Sequence, residues 1–228
     1  MSPGTRGLPG ALDALEKLLG KPAKPLPQHP LDWILWENVA YLVDDEARAH
    51  AYRALEMEVG LAAEDLAKAG AKTLLEVARL GGMHPERRVD KLREIADLAI
   101  EAGGGRLEKV LELGVKDARK ILKRFPGIGD PGADKILLFC GASTEMSLES
   151  NGLRVAVRLG YGEEATSYAT TYRSAIAALD PELERKSARR VRAYELLRAH
   201  GQALCKRTAP DCDACPLTRG CRYFARVG

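Results

Sequence analysis

The chain has 228 residues, of which 46% are hydrophobic, 29% charged and only 5% aromatic, with a net charge of +3. That length allows one sizeable core or two modest ones, and a charge so near balance argues only weakly for a polyanionic partner. No apolar stretch approaches the roughly 20 residues of a membrane span, and the opening MSPGTRGLPG lacks the apolar centre of a signal peptide, so the expected compartment is a reducing cytoplasm where thiols stay reduced.

Ala, Leu, Glu, Arg and Lys recur while β-branched runs stay short, which favours helix. A first helix is expected over 11–19, followed by the Pro-rich linker KPAKPLPQHP. Residues 31–43 read as a strongly apolar helix, with Asp44 and Asp45 able to cap 46–59. Shorter helices are expected at 62–68 and 73–80, the latter broken at Gly81-Gly82. The amphipathic stretch 85–102 stops at the glycine run 103–105. Helices are then expected at 106–113, 116–124, 133–140, 151–159, 163–179 and 183–204. No strand pair and no internal repeat is evident, so the class is all-α. The linker at 20–30 and a break near 141–147 divide the chain into a helical domain, 31–142, and a second lobe combining 1–30 with 143–228. Trp33 and Trp36, three residues apart, read as core, and Cys140 as a buried structural thiol.

Three features carry chemistry. Cys205, Cys212, Cys215 and Cys221 form a C-x6-C-x2-C-x5-C run, and the chain has one other cysteine. Four thiolates so close suit zinc or an iron–sulfur cluster. The segment 184–208 holds eight Lys/Arg against two Glu; it either tracks phosphates or forms a solvated helix face. The third is Phe125-Pro126-Gly127-Ile128-Gly129 between two helices, spanning about 116–140. It reads as an ordinary helix corner or as a helix–hairpin–helix. In the second case Gly127 and Gly129 let backbone amides approach a DNA phosphate beside a helix N-terminus, and Ile128 packs into the hairpin.

The hairpin resembles the L-P-G-[IV]-G hairpin of the endonuclease III and adenine-DNA glycosylase superfamily. The cysteine run, with Cys215-Pro216-Leu217, is similar to that family's cluster loop, and His200-Gly201 stands where the family has a His-Gly step. The resemblance covers roughly residues 30–224. It implies a six-helix barrel over 31–142, a cluster lobe built from both ends of the chain, and a [4Fe–4S] cluster on the four cysteines of the loop 205–221. It also implies that Lys206 and Arg207 face DNA. The partner would be double-stranded DNA with a damaged, mismatched or abasic site, bent across the cleft between the lobes with one nucleotide flipped. The protein would act as a monomer in the cytoplasm, nucleoid-associated in a prokaryote.

The same resemblance assigns catalytic positions. Pro131 falls where bifunctional members carry a lysine nucleophile, so Schiff-base lyase chemistry there is excluded. Lys135, one turn further on, would need a rebuilt pocket to substitute. Asp130 is a good N-cap for the helix that follows, and its charge sits where phosphate should dock. Sixteen residues past Ala133, Glu149 occupies the family's aspartate position in L-E-S-N-G-L-R-V. Lost lysine and retained carboxylate is the pattern of monofunctional members, which cut the N-glycosidic bond with water. The alternative is a catalytically lapsed iron–sulfur module that recognises distorted or abasic DNA. On the register of 33–43, Leu42 enters the gap left by the flipped base. Met83, with His84 beside it, matches the intercalating residue. Glu37, with Asn38 next to it, lies near a base-protonating glutamate and is a possible acid.

Overall fold

The computed structural model describes residues 7–227, and every regular element among them is helical or 3-10. No helix among these residues is long and apolar enough to cross a membrane. The chain divides by contact into two units, Pro25–Ala142 and a second made of the residues before Pro25 together with those from Ser143 on.

The first unit holds α2 (Pro30–Asn38), α3 (Asp45–Glu58), α4 (Ala63–Lys68), α5 (Ala71–Leu80), α6 (Pro85–Gly103), α7 (Glu108–Leu111), α8 (Val115–Leu122) and α9 (Asp130–Phe139). Six of the eight run for eight residues or more; α4 and α7 are short connectors. α2 is apolar nearly all round, and it buries Leu31, Trp33, Ile34 and Leu35. Such a helix is stable only with neighbours on most sides, and α3, α6 and α9 pack against it. Trp33 meets Phe139 edge-on at 4.7 Å and Trp36 meets Tyr52 at 5.4 Å. Cys140 ends α9 half-buried, its thiol pushed up to about 12 by burial.

The second unit joins α1 (Gly7–Leu19) to α10 (Ser150–Leu159), α11 (Tyr168–Leu179), α12 (Ser187–Ala203) and the short α13 (Phe224–Val227). A 13-residue helix is marginal alone, and α1 is held by burying Leu8, Leu12 and Leu15 on one face, each worth about 2 kcal/mol. α1 and α10 both pack on α12.

Several boundaries depart from expectation. The helix expected over 31–43 stops at Asn38, and Leu42 adopts φ 55. The cause is tertiary: the Tyr41 N–H donates to the Gly81 carbonyl at 2.8 Å, forming a bridge between the two turns. Gly81 and Gly82 make this approach possible, because a Cβ on Gly81 would lie 2.0 Å from the Val39 oxygen. The helix expected from 163 starts at Tyr168, and Glu163 instead grips Arg222 at 2.7 Å. The helix expected from 183 starts at Ser187 after a 3-10 turn. Asp130 is not the N-cap of α9. Gly129 is, with extended backbone, and Asp130 is drawn to Lys123 at 2.5 Å.

Candidate functional site

In the first unit, the hairpin between α8 and α9 is built from Phe125 and Ile128, both buried, under a turn that needs Gly127 at φ 76. Arg119 Nε donates to Asp134 Oδ1 at 2.6 Å, clamping the two helices. Asn38 fixes the turn from below: its Nδ2 donates to the Pro126 carbonyl at 2.8 Å and the Ile34 carbonyl at 2.9 Å. Sequence reasoning noticed Asn38 only as a neighbour of Glu37; its 88-residue reach to Pro126 left no local signal. The Ile128 amide turns inward to the Phe125 carbonyl at 3.2 Å, whereas those of Gly127 and Gly129 take no partner among the described residues. Two amides thus remain for an anion. The neighbouring Asp130 charge is offset by Lys123. Pro131 sits in the first turn of α9, where a missing N–H costs nothing.

Beside the hairpin helix, Lys135 Nζ donates to Glu37 Oε1 at 2.7 Å and lies 4.3 Å above the Trp33 ring. Glu37 lines a cavity of about 330 Å³ with Asn38, Tyr41, Met83, His84, Arg87 and Lys91. At the rim, Leu42 is 70% exposed and Met83 52%, unusual for large apolar side chains. Both stand on the bridged turns described above, with His84 at φ 56. Arg88, 3% exposed, donates from Nη2 to the Ala78 and Gly82 carbonyls and so pins the Met83 turn.

In the second unit, Glu149 is the N-cap of α10. Oε1 accepts from the Gly152 N–H at 2.6 Å and Oε2 from Asn151 Nδ2 at 2.9 Å, which fixes the carboxylate's direction.

The four cysteines of the loop 205–221 carry free thiols and line one small hollow with Val155, Arg158, Leu159 and His200. Two sulfurs meet donors, Cys205 from Arg158 Nη1 at 3.3 Å and Cys221 from the Phe224 amide at 3.4 Å, and His200 Nε2 stands 3.6 Å from Cys215. Such donors suit thiolates. His200 is depressed to about 4 by burial. Burial, and then the neighbouring Cys221 and Cys205, raise the Cys212 thiol. No three His, Cys, Asp or Glu side chains among the described residues converge closely enough for a single metal ion. The sulfurs edge the hollow without meeting at one point.

Lys206 and Arg207 are exposed at the start of this loop. Four other cations of the basic segment pair within the same unit. Arg190, fully buried, is held by the Asp180 carboxylate and by the carbonyls of Asp180, Leu183 and Glu184. Arg192 pairs with Asp13 and Glu16, Arg185 with Asp180, and Lys186 with Glu184.

No family model matches the chain. Over 184 residues it is 25% identical to endonuclease III of Sulfolobus acidocaldarius, covering 79% of this chain and 76% of that one. Endonuclease III of Thermotoga maritima is 26% identical over 178 residues, 75% and 73% of the two chains. The fold matches a trapped endonuclease III–DNA covalent intermediate with TM-score 0.74 at 16% identity, over 95% of each chain. In sequence the chain resembles the endonuclease III proteins, and it shares the all-α fold of that structure. A thermostable thymine-DNA glycosylase of that fold follows at TM-score 0.73 and 14% identity, over 94% of this chain and 95% of its own. Pro131 and Glu149 are the positions at which the sequence departs from the pattern the resemblance implies.

Proposed function

We propose that this chain is a monofunctional DNA N-glycosylase, hydrolysing the glycosidic bond of a damaged or mismatched base turned out of duplex DNA and leaving an abasic site. One observation carries the hydrolytic reading: an oriented carboxylate is kept at Glu149, while Pro131 offers no amine where the resemblance expects a nucleophile. The Gly152 N–H, Asn151 Nδ2 and, at 3.4 Å, Ser150 Oγ each occupy one lone pair of the Glu149 carboxylate. A carboxylate has about four, so it can still take a proton from a water and stabilise an oxocarbenium-like sugar. Glu37, as the partner of an ammonium, is a hydrogen-bond acceptor for the edge of an everted base.

DNA affinity in this reading comes from the Gly127 and Gly129 amides on one phosphate and from Lys206 and Arg207 on others. Leu42 and Met83 are the apolar wedges that fill the gap in the stack. Cys205, Cys212, Cys215 and Cys221, which line one hollow, would hold the [4Fe–4S] cluster that the resemblance implies. When bound it supplies a rigid, redox-capable staple for the loop carrying Lys206 and Arg207.

A second reading is a lapsed enzyme that binds distorted or abasic DNA, favoured by the engagement of both Glu149 oxygens in the helix cap. The discriminating experiment offers duplexes carrying uracil, thymine glycol, alkylated purines or mismatches, with and without alkali. Hydrolysis gives strand breaks only after alkali, on at least one duplex. Salt-dependent binding with no alkali-labile product on any duplex leaves the lapsed reading standing.

A further inference from the structure

Arg158, near the end of α10, is spent on the cysteine loop. Its Nη1 donates to Cys205 Sγ at 3.3 Å and to the Lys206 carbonyl at 2.8 Å, and its Nη2 to the Arg207 carbonyl at 3.2 Å. The guanidinium lies 4.3 Å over the Tyr223 ring. Its own carbonyl accepts from the Tyr223 N–H at 2.9 Å and stands 3.3 Å from Cys221 Sγ. One residue therefore touches the first and the last cysteine segments. Arg154, one turn earlier, donates to the same loop only at the Cys205 carbonyl, at 2.9 Å, and otherwise to the Gly201 carbonyl of α12 at 2.7 Å.

We infer that Arg158 is the positioning residue of the cluster loop, neutralising the Cys205 thiolate and locking, through the same fork, the backbone from which Lys206 and Arg207 project. The inference rests on reading the four thiols as cluster ligands. A cation that hydrogen-bonds a ligating sulfur stabilises the reduced, more negative state of an iron–sulfur centre and raises its potential. The fork's planarity lets one side chain serve a sulfur and two carbonyls at once, which a lysine ammonium cannot copy.

The test compares as-purified wild type with Arg158→Lys and Arg158→Gln by iron and sulfide content, midpoint potential, cluster lifetime in air and duplex binding. Arg158→Gln is expected to lower the potential and lose the cluster roughly tenfold faster. Lys206→Ala should weaken binding less in the Arg158→Gln background than in wild type, because the loop no longer holds the amine in place. Arg158→Lys keeps the charge and should restore the potential in part without restoring that coupling; it also stands in if Arg158→Gln fails to fold. Wild-type potential and lifetime in both variants overturn the role of Arg158 while leaving the cluster intact. Wild type that purifies with zinc, or without iron and sulfide, overturns the cluster reading itself.

Discussion

Lys135 Nζ donates to Glu37 Oε1 at 2.7 Å across 98 residues of sequence, closing α9 onto α2. Side-chain exposures of 10% and 32% make this a half-buried pair, so removing one partner strands the other in poorly solvated surroundings. Lys135→Met should cost about 2 kcal/mol, below the 3–5 of a fully buried pair. The double variant Lys135→Met/Glu37→Leu should cost less than the sum of the singles. Thermal melts of the three variants read this coupling directly, and strict additivity would show that the pair contributes nothing as a pair.

Glu149 has two separable roles, helix cap and catalytic carboxylate. Glu149→Gln keeps an oxygen for the Gly152 amide, so stability and duplex affinity should stay within a few tenths of a kcal/mol. Excision should fall by about 10²-fold or more, because the amide cannot accept a proton from water. Glu149→Ala loses both and should unfold about 1 kcal/mol more easily. Single-turnover excision beside a denaturant melt tells the roles apart; equal loss of both in Glu149→Gln would reduce the residue to a cap.

Borohydride trapping tests the missing nucleophile. The wild-type chain should yield no reduced covalent complex with lesion DNA, since Pro131 has no amine and Lys135 is held between Glu37 and the Trp33 ring. Pro131→Lys places an amine in the first turn of α9 without removing an N–H bond, and a trapped complex should appear in that variant alone. A wild-type complex that vanishes in Lys135→Met would instead make Lys135 the nucleophile.

The sequence made the hairpin and the cysteine loop legible because their chemistry is local: glycines at a turn and thiols at short spacing announce themselves. What it hid was set by distant partners. The helix expected through 43 yields at Asn38 to a bond from Tyr41 to Gly81, so Leu42 leaves the helix and becomes exposed. The basic run 184–208 looked like one surface, yet Asp13, Glu16 and Asp180 claim much of it. Arg158 reaches Cys205 across 47 residues, a relation no spacing rule reports.

Lys206 and Arg207 should act on DNA as charges rather than as base readers. Replacing either with Ala should weaken binding to lesion and undamaged duplex alike and reduce the slope of log affinity against log salt by about 1. A change confined to one lesion would assign the residue to base recognition instead.

Acid should release the Asp180–Arg190 clamp at the start of α12. Burial opposes ionisation of Asp180, but Arg190 and Arg185 outweigh it and hold the carboxyl below its usual value of 3.8. A depressed folded-state pKa contributes stability above the unfolded value that is lost as pH falls through the folded one. Asp180→Asn strands the fully buried Arg190 guanidinium and should cost about 3 kcal/mol near neutrality. The gap between wild type and variant should stay constant from pH 7 to about 5 and narrow below about 4, as the wild-type carboxyl takes up its proton. Urea melts across that range measure it, and a gap that persists undiminished into strong acid would show that packing rather than charge holds the clamp.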